Sequence, residues 1–169
     1  MKGTRSVSAK TNVLQFFNRK KELEMLEKLY EKAKTQGQFL VLYGKRRVGK
    51  TELIKHFFIN KPNIYYLASR ISAEDQLKTV SDVIADYFKA DYLKTAGFAN
   101  WRGLFTFLGE QLKSSQERLI LIFDEFPYLV EGDKGMSSHF QYGLDELLKA
   151  TNIMLVLLGS SISMMYKHA

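Results

Sequence analysis

The chain contains no cysteine. Disulfides, thiolate metal sites and cysteine nucleophiles are therefore excluded, and an intracellular, cytoplasmic setting is the expectation. No run approaches the roughly 18 consecutive apolar residues of a transmembrane helix, so no membrane partner is expected. The N-terminal basic residues Lys2, Arg5 and Lys10 lack an apolar segment behind them, so they do not form a secretory signal. No internal repeat and no low-complexity segment is evident. Proline is scarce, at two residues, while 46% of the chain is hydrophobic and 13% aromatic, enough for a sizeable core. An acidic excess is also missing. The net charge of +7 permits attraction to nucleic acid or polyphosphate, but it is spread over many positions. The length fits one domain, read as a tail over 1–14 and a folded unit over 15–169.

What is present centres on Gly44-Lys45-Arg46-Arg47-Val48-Gly49-Lys50-Thr51. This run matches the phosphate-binding pattern G-x-x-x-x-G-K-[ST], the Walker A loop, without a mismatch. It follows the strand-like run Phe39 to Tyr43 and opens a helix-like run at Thr51. Glycines let the backbone curl so that several N–H groups face one point, and the helix adds its positive end there.

The rest of the chain alternates helix and strand. Asn18 is the expected N-cap of a first helix, with Leu23, Leu26, Tyr30 and Ala33 inward, Met25 and Leu29 widening the stripe, and Gly37 near the end. A strand at about 38–43, apolar from Phe39 to Tyr43, suits burial on both faces. A helix over 50–60 turns Leu53, Ile54, Phe57 and Phe58 inward. Ile64 to Ala68 reads as the second strand. Ser72 opens a helix with Leu77, Val80, Ile84, Tyr87 and Phe88 on one face, and Gly97 marks a break. Trp101, Leu104, Phe105, Leu108 and Leu112 form another stripe, read as core. Leu119 to Phe123 is a third buried strand, ending in Asp124-Glu125. Residues 127–138 read as a loop. Phe140, Leu144, Leu147 and Leu148 mark a further helix, and Ile153 to Leu158 a fourth buried strand, ending in Gly159-Ser160-Ser161. This alternation predicts a three-layer α/β fold with a parallel sheet. The loop, Asp124-Glu125 and Ser160 then share the edge where such sheets bind ligands.

These residues suit phosphoryl chemistry on a nucleotide. Lys50 reaches the β- and γ-phosphates, while Thr51 and Asp124 hold Mg²⁺ directly or through water. Glu125 points at a water beside the γ-phosphate, as general base or orienting group (the Walker B pair with Asp124). Ser160 or Ser161 senses that phosphate or water, or else caps the strand end. Arg46 and Arg47 are either solvated loop charges or contacts to phosphate or a partner. A GTPase is disfavoured, because Glu125-Phe126-Pro127 follows Asp124 in place of D-x-x-G.

Four runs together carry a resemblance: Phe17-Asn18-Arg19 with Glu22-Leu23; Tyr43 to Thr51; Ile122-Phe123-Asp124-Glu125-Phe126-Pro127-Tyr128-Leu129; and Leu158-Gly159-Ser160-Ser161. They resemble the archaeal ATPase family of P-loop NTPases with an additional catalytic glutamate, an AAA+-like group near the signal-transducing and origin-recognition-like ATPases. The resemblance covers about residues 15–167. It implies ATP as the nucleotide, adenine near Phe17 and Arg19, and strand order 5-1-4-3-2. Similar proteins continue with a fifth strand, an arginine-bearing helical lid and a C-terminal region. Those parts are not in this chain, so an incomplete domain and an uncovered sheet side are expected. The expected activity is Mg-dependent ATP hydrolysis coupled to a protein partner or a second copy. The alternatives are an ATP-switched DNA-binding protein and a non-hydrolysing ATP-binding interaction module.

Overall fold

The computed structural model describes residues 19–115 and 117–160. Four strands, β1 (Gln38–Tyr43), β2 (Asn63–Leu67), β3 (Leu119–Asp124) and β4 (Ile153–Gly159), form one all-parallel sheet in the order β1-β4-β3-β2. Around it, among the described residues, lie α1 (Lys20–Lys32), α2 (Lys50–Phe58), α3 (Ala73–Phe88), α4 (Tyr92–Ala96), α5 (Trp101–Lys113), α6 (Pro127–Gly132) and α7 (Met136–Ala150). The expected three-layer architecture is observed, as is the 1-4-3-2 part of the expected strand order.

The continuous apolar runs of β3 and β4 are explained by burial on both faces. Side chains alternate across a strand. Leu119, Leu121, Phe123, Ile153, Leu155 and Leu157 therefore enter one core, with residues of α3, α5, α6 and α7. Ile120, Ile122, Met154, Val156 and Leu158 enter the other, with α1 and α2. Each fully buried side chain of this kind contributes about 1.5–3 kcal/mol relative to exposure. On the first side Trp101, Phe105, Phe123 and Phe140 pack ring against ring, with Phe105–Phe140 and Phe123–Phe140 centroids 5.1 and 5.0 Å apart and nearly perpendicular. Edge-to-face geometry is what the ring quadrupoles favour.

Several local signals hold. Ser72 Oγ accepts the Asp75 N–H at 3.1 Å and caps α3. Asn100 Oδ1 caps α5 by accepting the Gly103 N–H at 2.9 Å. Other expectations are corrected. β1 is not buried on both faces: it lies at the sheet margin, and Phe39 and Tyr43 are exposed. The residue preceding α1 is Arg19, which makes no side-chain cap, its guanidinium being turned to Glu22 and Val48. Asn18, Phe17 and Ser161 lie outside the described residues, as does the Leu148 side chain. Met25 and Tyr87 face solvent. On α3 the inward stripe instead takes in two polar residues, Gln76 and Ser81. Residues 127–138 are not a loop. Pro127, with its fixed φ, starts α6. The burial of Phe126, Leu129 and Val130 holds that short helix on the core. Helix α4 is likewise held through Leu93, which packs with Ala85 and Ala90.

Candidate functional site

The loop between β1 and α2 folds as its glycines allow. Gly44 has φ +152° and Gly49 has φ +80°, backbone conformations that side chains disfavour. Arg47 sits between them at φ 64°. Lys50, at the start of α2, curls back over the loop. Its Nζ donates to the carbonyl oxygens of Gly44 at 2.7 Å and Lys45 at 3.0 Å. The loop is braced from two sides. Arg19 donates to the Val48 carbonyl from the N-terminal end of α1. Arg46 donates to the Tyr128 hydroxyl at 2.6 Å, in α6. Tyr128 is in turn covered by the Arg70 guanidinium, 5.1 Å from its ring centroid, and Arg70 pairs with Glu131 at 3.1 Å.

Asp124 ends β3 and is 4% exposed. A buried carboxylate needs hydrogen-bond donors, and this one has them. Thr51 Oγ1 donates to Oδ2 at 2.9 Å, and the Tyr65 phenol donates to the same oxygen at 2.6 Å. Oδ1 accepts the Glu125 backbone N–H at 2.8 Å. Burial first, and then this hydrogen bond to Asp124, push the Tyr65 phenol well above its ordinary value, so the hydroxyl keeps its proton as a donor. Glu125 takes φ 52°, a left-handed conformation costing about 1–3 kcal/mol in a residue with a side chain. Among the described residues its Oε2 is buried without a hydrogen-bond partner. The next N–H, of Phe126, donates to the Leu158 carbonyl at 2.9 Å and ties this turn to β4.

Register places the remaining residues. Tyr43 pairs with Gly159, so Gly44 and Ser160 leave neighbouring strands at the same edge. Ser160 is partly buried there. The structure thus brings Gly44, Gly49, Lys50, Thr51, Asp124, Glu125 and Ser160 to one end of the sheet. Lys45 and Arg47 are exposed on the loop, Val48 offers its carbonyl to Arg19, and Arg46 is turned to Tyr128. Tyr65 and Arg70 escaped the sequence reading, since their contacts depend on strand register and on a helix that residues 127–138 did not announce. The available signal for Tyr65 was strand alternation. It faces the α2 side of the sheet, as does Asp124 on the neighbouring strand.

No group of three or more His, Asp or Glu side chains converges as a metal cluster among the described residues, and no helix there is long and apolar enough to cross a membrane. The model of an ATPase domain found predominantly in Archaea matches residues 16–169. An uncharacterized protein of Methanocaldococcus jannaschii is 34% identical over 153 residues, which is 89% of this chain and 30% of that protein. Among solved structures, a Walker-type ATPase of Pyrococcus abyssi superposes with a TM-score of 0.68 at 25% identity, covering 96% of this chain and 51% of that one. The ADP form of the Aeropyrum pernix ORC2 protein superposes with a TM-score of 0.67 at 17% identity, covering 89% of this chain and 44% of that one, and shows the shared fold. The chain therefore spans about half or less of the length of these similar proteins.

Proposed function

The chain belongs to the family of ATPase domains found predominantly in Archaea, and on that footing we propose that it binds ATP with Mg²⁺ and hydrolyses it to switch a partner. One observation carries this reading: the hydrogen bond of 2.9 Å from Thr51 to Asp124 joins the phosphate loop to the end of β3. A loop hydroxyl and a buried carboxylate thus meet at the residue that follows Lys50.

The donor set fits Mg²⁺. Thr51 and Asp124 offer hard oxygens, and Mg²⁺ keeps several waters and needs few protein ligands. Among the described residues the buried Oε2 of Glu125 has no hydrogen-bond partner, which leaves it as a further acceptor. Thr51 and Asp124 would hold the ion, directly or through water, and it would supply neutralisation of the phosphate charge. The chain's own residues do the rest. Lys50 exchanges the carbonyls of Gly44 and Lys45 for phosphate oxygens, and the amides of residues 44–51 cradle the same group. Glu125 orients a water and takes its proton as the water oxygen attacks the γ-phosphorus. The bond from phosphorus to the β–γ bridging oxygen breaks, and its electron pair leaves on ADP. Ser160, at the end of the adjacent strand, is positioned to register the γ-phosphate. Arg19 and Phe17 are proposed to flank the base.

The test is thermal unfolding with Mg·ATP and with Mg·GTP, on the wild type, Lys50→Ala and Glu125→Gln, with phosphate release read in the same samples. A ligand at a hundredfold excess over Kd stabilises by about 2.7 kcal/mol, a shift of several degrees. The expected result is stabilisation by ATP over GTP, lost in Lys50→Ala. Glu125→Gln keeps the shift and loses phosphate release. Stabilisation without phosphate release from the wild type favours a non-hydrolysing ATP-binding module. A nucleic-acid-handling protein is the second reading, favoured by the net charge of +7 and the exposed Lys45 and Arg47 at the site. DNA binding that weakens steeply with salt would select it.

A further inference from the structure

The phosphate loop and the β3 carboxylate do not explain why a tyrosine from a third element bonds the same carboxylate oxygen as Thr51. We propose that Tyr65 is a positioning residue for the metal-binding carboxylate, its phenol fixing Asp124 Oδ2 in the orientation that Thr51 and a divalent cation require. This rests on the Mg·ATP reading above.

The geometry is built and not incidental. Tyr65 stands on β2, one strand away from Asp124, on the face covered by α2. Its ring lies along α2, with the Phe58 ring centroid at 5.9 Å and Lys55 Nζ 5.5 Å above its own centroid. Thr51, Lys55 and Phe58 are spaced i, i+4 and i+7, one stripe of that helix. The ring is therefore clamped at its body, and its hydroxyl reaches the carboxylate at 2.6 Å. On the other side, Oδ1 is held by the Glu125 N–H at 2.8 Å. A carboxylate accepts and does not donate, so the Thr51 hydrogen points at Asp124 and its lone pairs turn away, free for a cation. With Tyr65 present, both oxygens of Asp124 are pinned and the plane of the carboxylate is set. Without the phenol, Oδ2 has Thr51 alone, the very group that must also serve the metal. Outer hydrogen-bond partners of this kind orient metal ligands, and their loss typically costs about 10–100-fold in metal affinity or activity.

The experiment uses Tyr65→Phe, which keeps the ring and removes only the hydroxyl. Binding of a fluorescent ADP analogue is titrated with MgCl₂, and separately measured in EDTA. We expect the Mg²⁺ concentration for half-maximal enhancement of binding to rise about tenfold. Affinity in EDTA should stay close to wild type, and the ligand-free protein should lose only a few degrees of unfolding midpoint, since Asp124 Oδ2 keeps Thr51 as a donor. Should Tyr65→Phe fail to fold, Tyr65→Leu, which also lacks the hydroxyl, replaces it with the same expectation. An unchanged or tighter Mg²⁺ dependence overturns the proposal. So does an EDTA affinity that falls by the same factor, which would make Tyr65 a packing residue only. A wild type that binds no nucleotide at all overturns the ATP reading, and this proposal with it.

Discussion

Tyr66 shows how much a single buried hydroxyl can control. Next to Tyr65 but on the opposite face, it donates to Gln76 Oε1, while Gln76 Nε2 donates to the Ser69 carbonyl at 2.5 Å. Both Tyr66 and Gln76 are buried. Burial pushes the Tyr66 phenol up to about 12 from an ordinary 10.0. The folded value lies above the unfolded one, so the contribution is complete below pH 10 and is lost as the pH rises toward 12. Tyr66→Phe should flatten this alkaline decline. At neutral pH it should cost about 1–3 kcal/mol, because Gln76 Oε1 is left buried without its donor. Urea unfolding of both proteins at a series of pH values measures the two effects together. Residues of this kind were only half legible. Gly44 to Thr51 could be read directly, since the motif is local and each residue type has its own physical role. Tyr65 and Tyr66 read only as strand positions and Gln76 only as a helix position, because the partners of the two tyrosines lie 59 and 10 residues away in the chain.

At the scale of elements, the pairing of α5 with α7 depends on a glycine in mid-helix. A Cβ built on Gly143 would meet the Phe105 ring at 2.6–2.7 Å, closer than real contacts allow. The glycine is there for close approach and not for an unusual backbone. Gly143→Ala should destabilise the protein by about 1–3 kcal/mol despite the better helix propensity of alanine. In a Phe105→Leu background the same change should cost less, and a double-mutant cycle by urea unfolding checks that coupling. The long helices were legible from their apolar stripes and from Ser72. The short ones were not. Helices α4 and α6 are too brief to carry a period: Leu93 is held by its near neighbours Ala85 and Ala90, while Phe126 and Leu129 pack into a core supplied by distant parts of the chain. The exposure of β1 was hidden for a related reason: an apolar run reports hydrophobicity, not whether a neighbour lies on its far side.

For the whole molecule, the decisive fact is that β3 and β4 serve both cores through alternate side chains. Neither helical layer can leave without exposing residues on the same strands, so the two faces should unfold together. The parallel order was legible from four apolar runs separated by helices, since right-handed crossovers leave few arrangements. It carries the loop, Asp124 and Ser160 to one edge. The chain holds one tryptophan, and Trp101 is 3% exposed, stacked among Phe105, Phe123 and Phe140. The protein thus comes with its own optical label, placed on the layer opposite α1 and α2. Its emission should shift to longer wavelength in one step on unfolding, with the same midpoint as far-UV circular dichroism. A separate, earlier optical transition would mean that the two layers melt independently. Phe123 touches this indole and immediately precedes Asp124, so the same unlabelled signal gives a direct line of sight from the aromatic core to the end of the strand where nucleotide is proposed to bind.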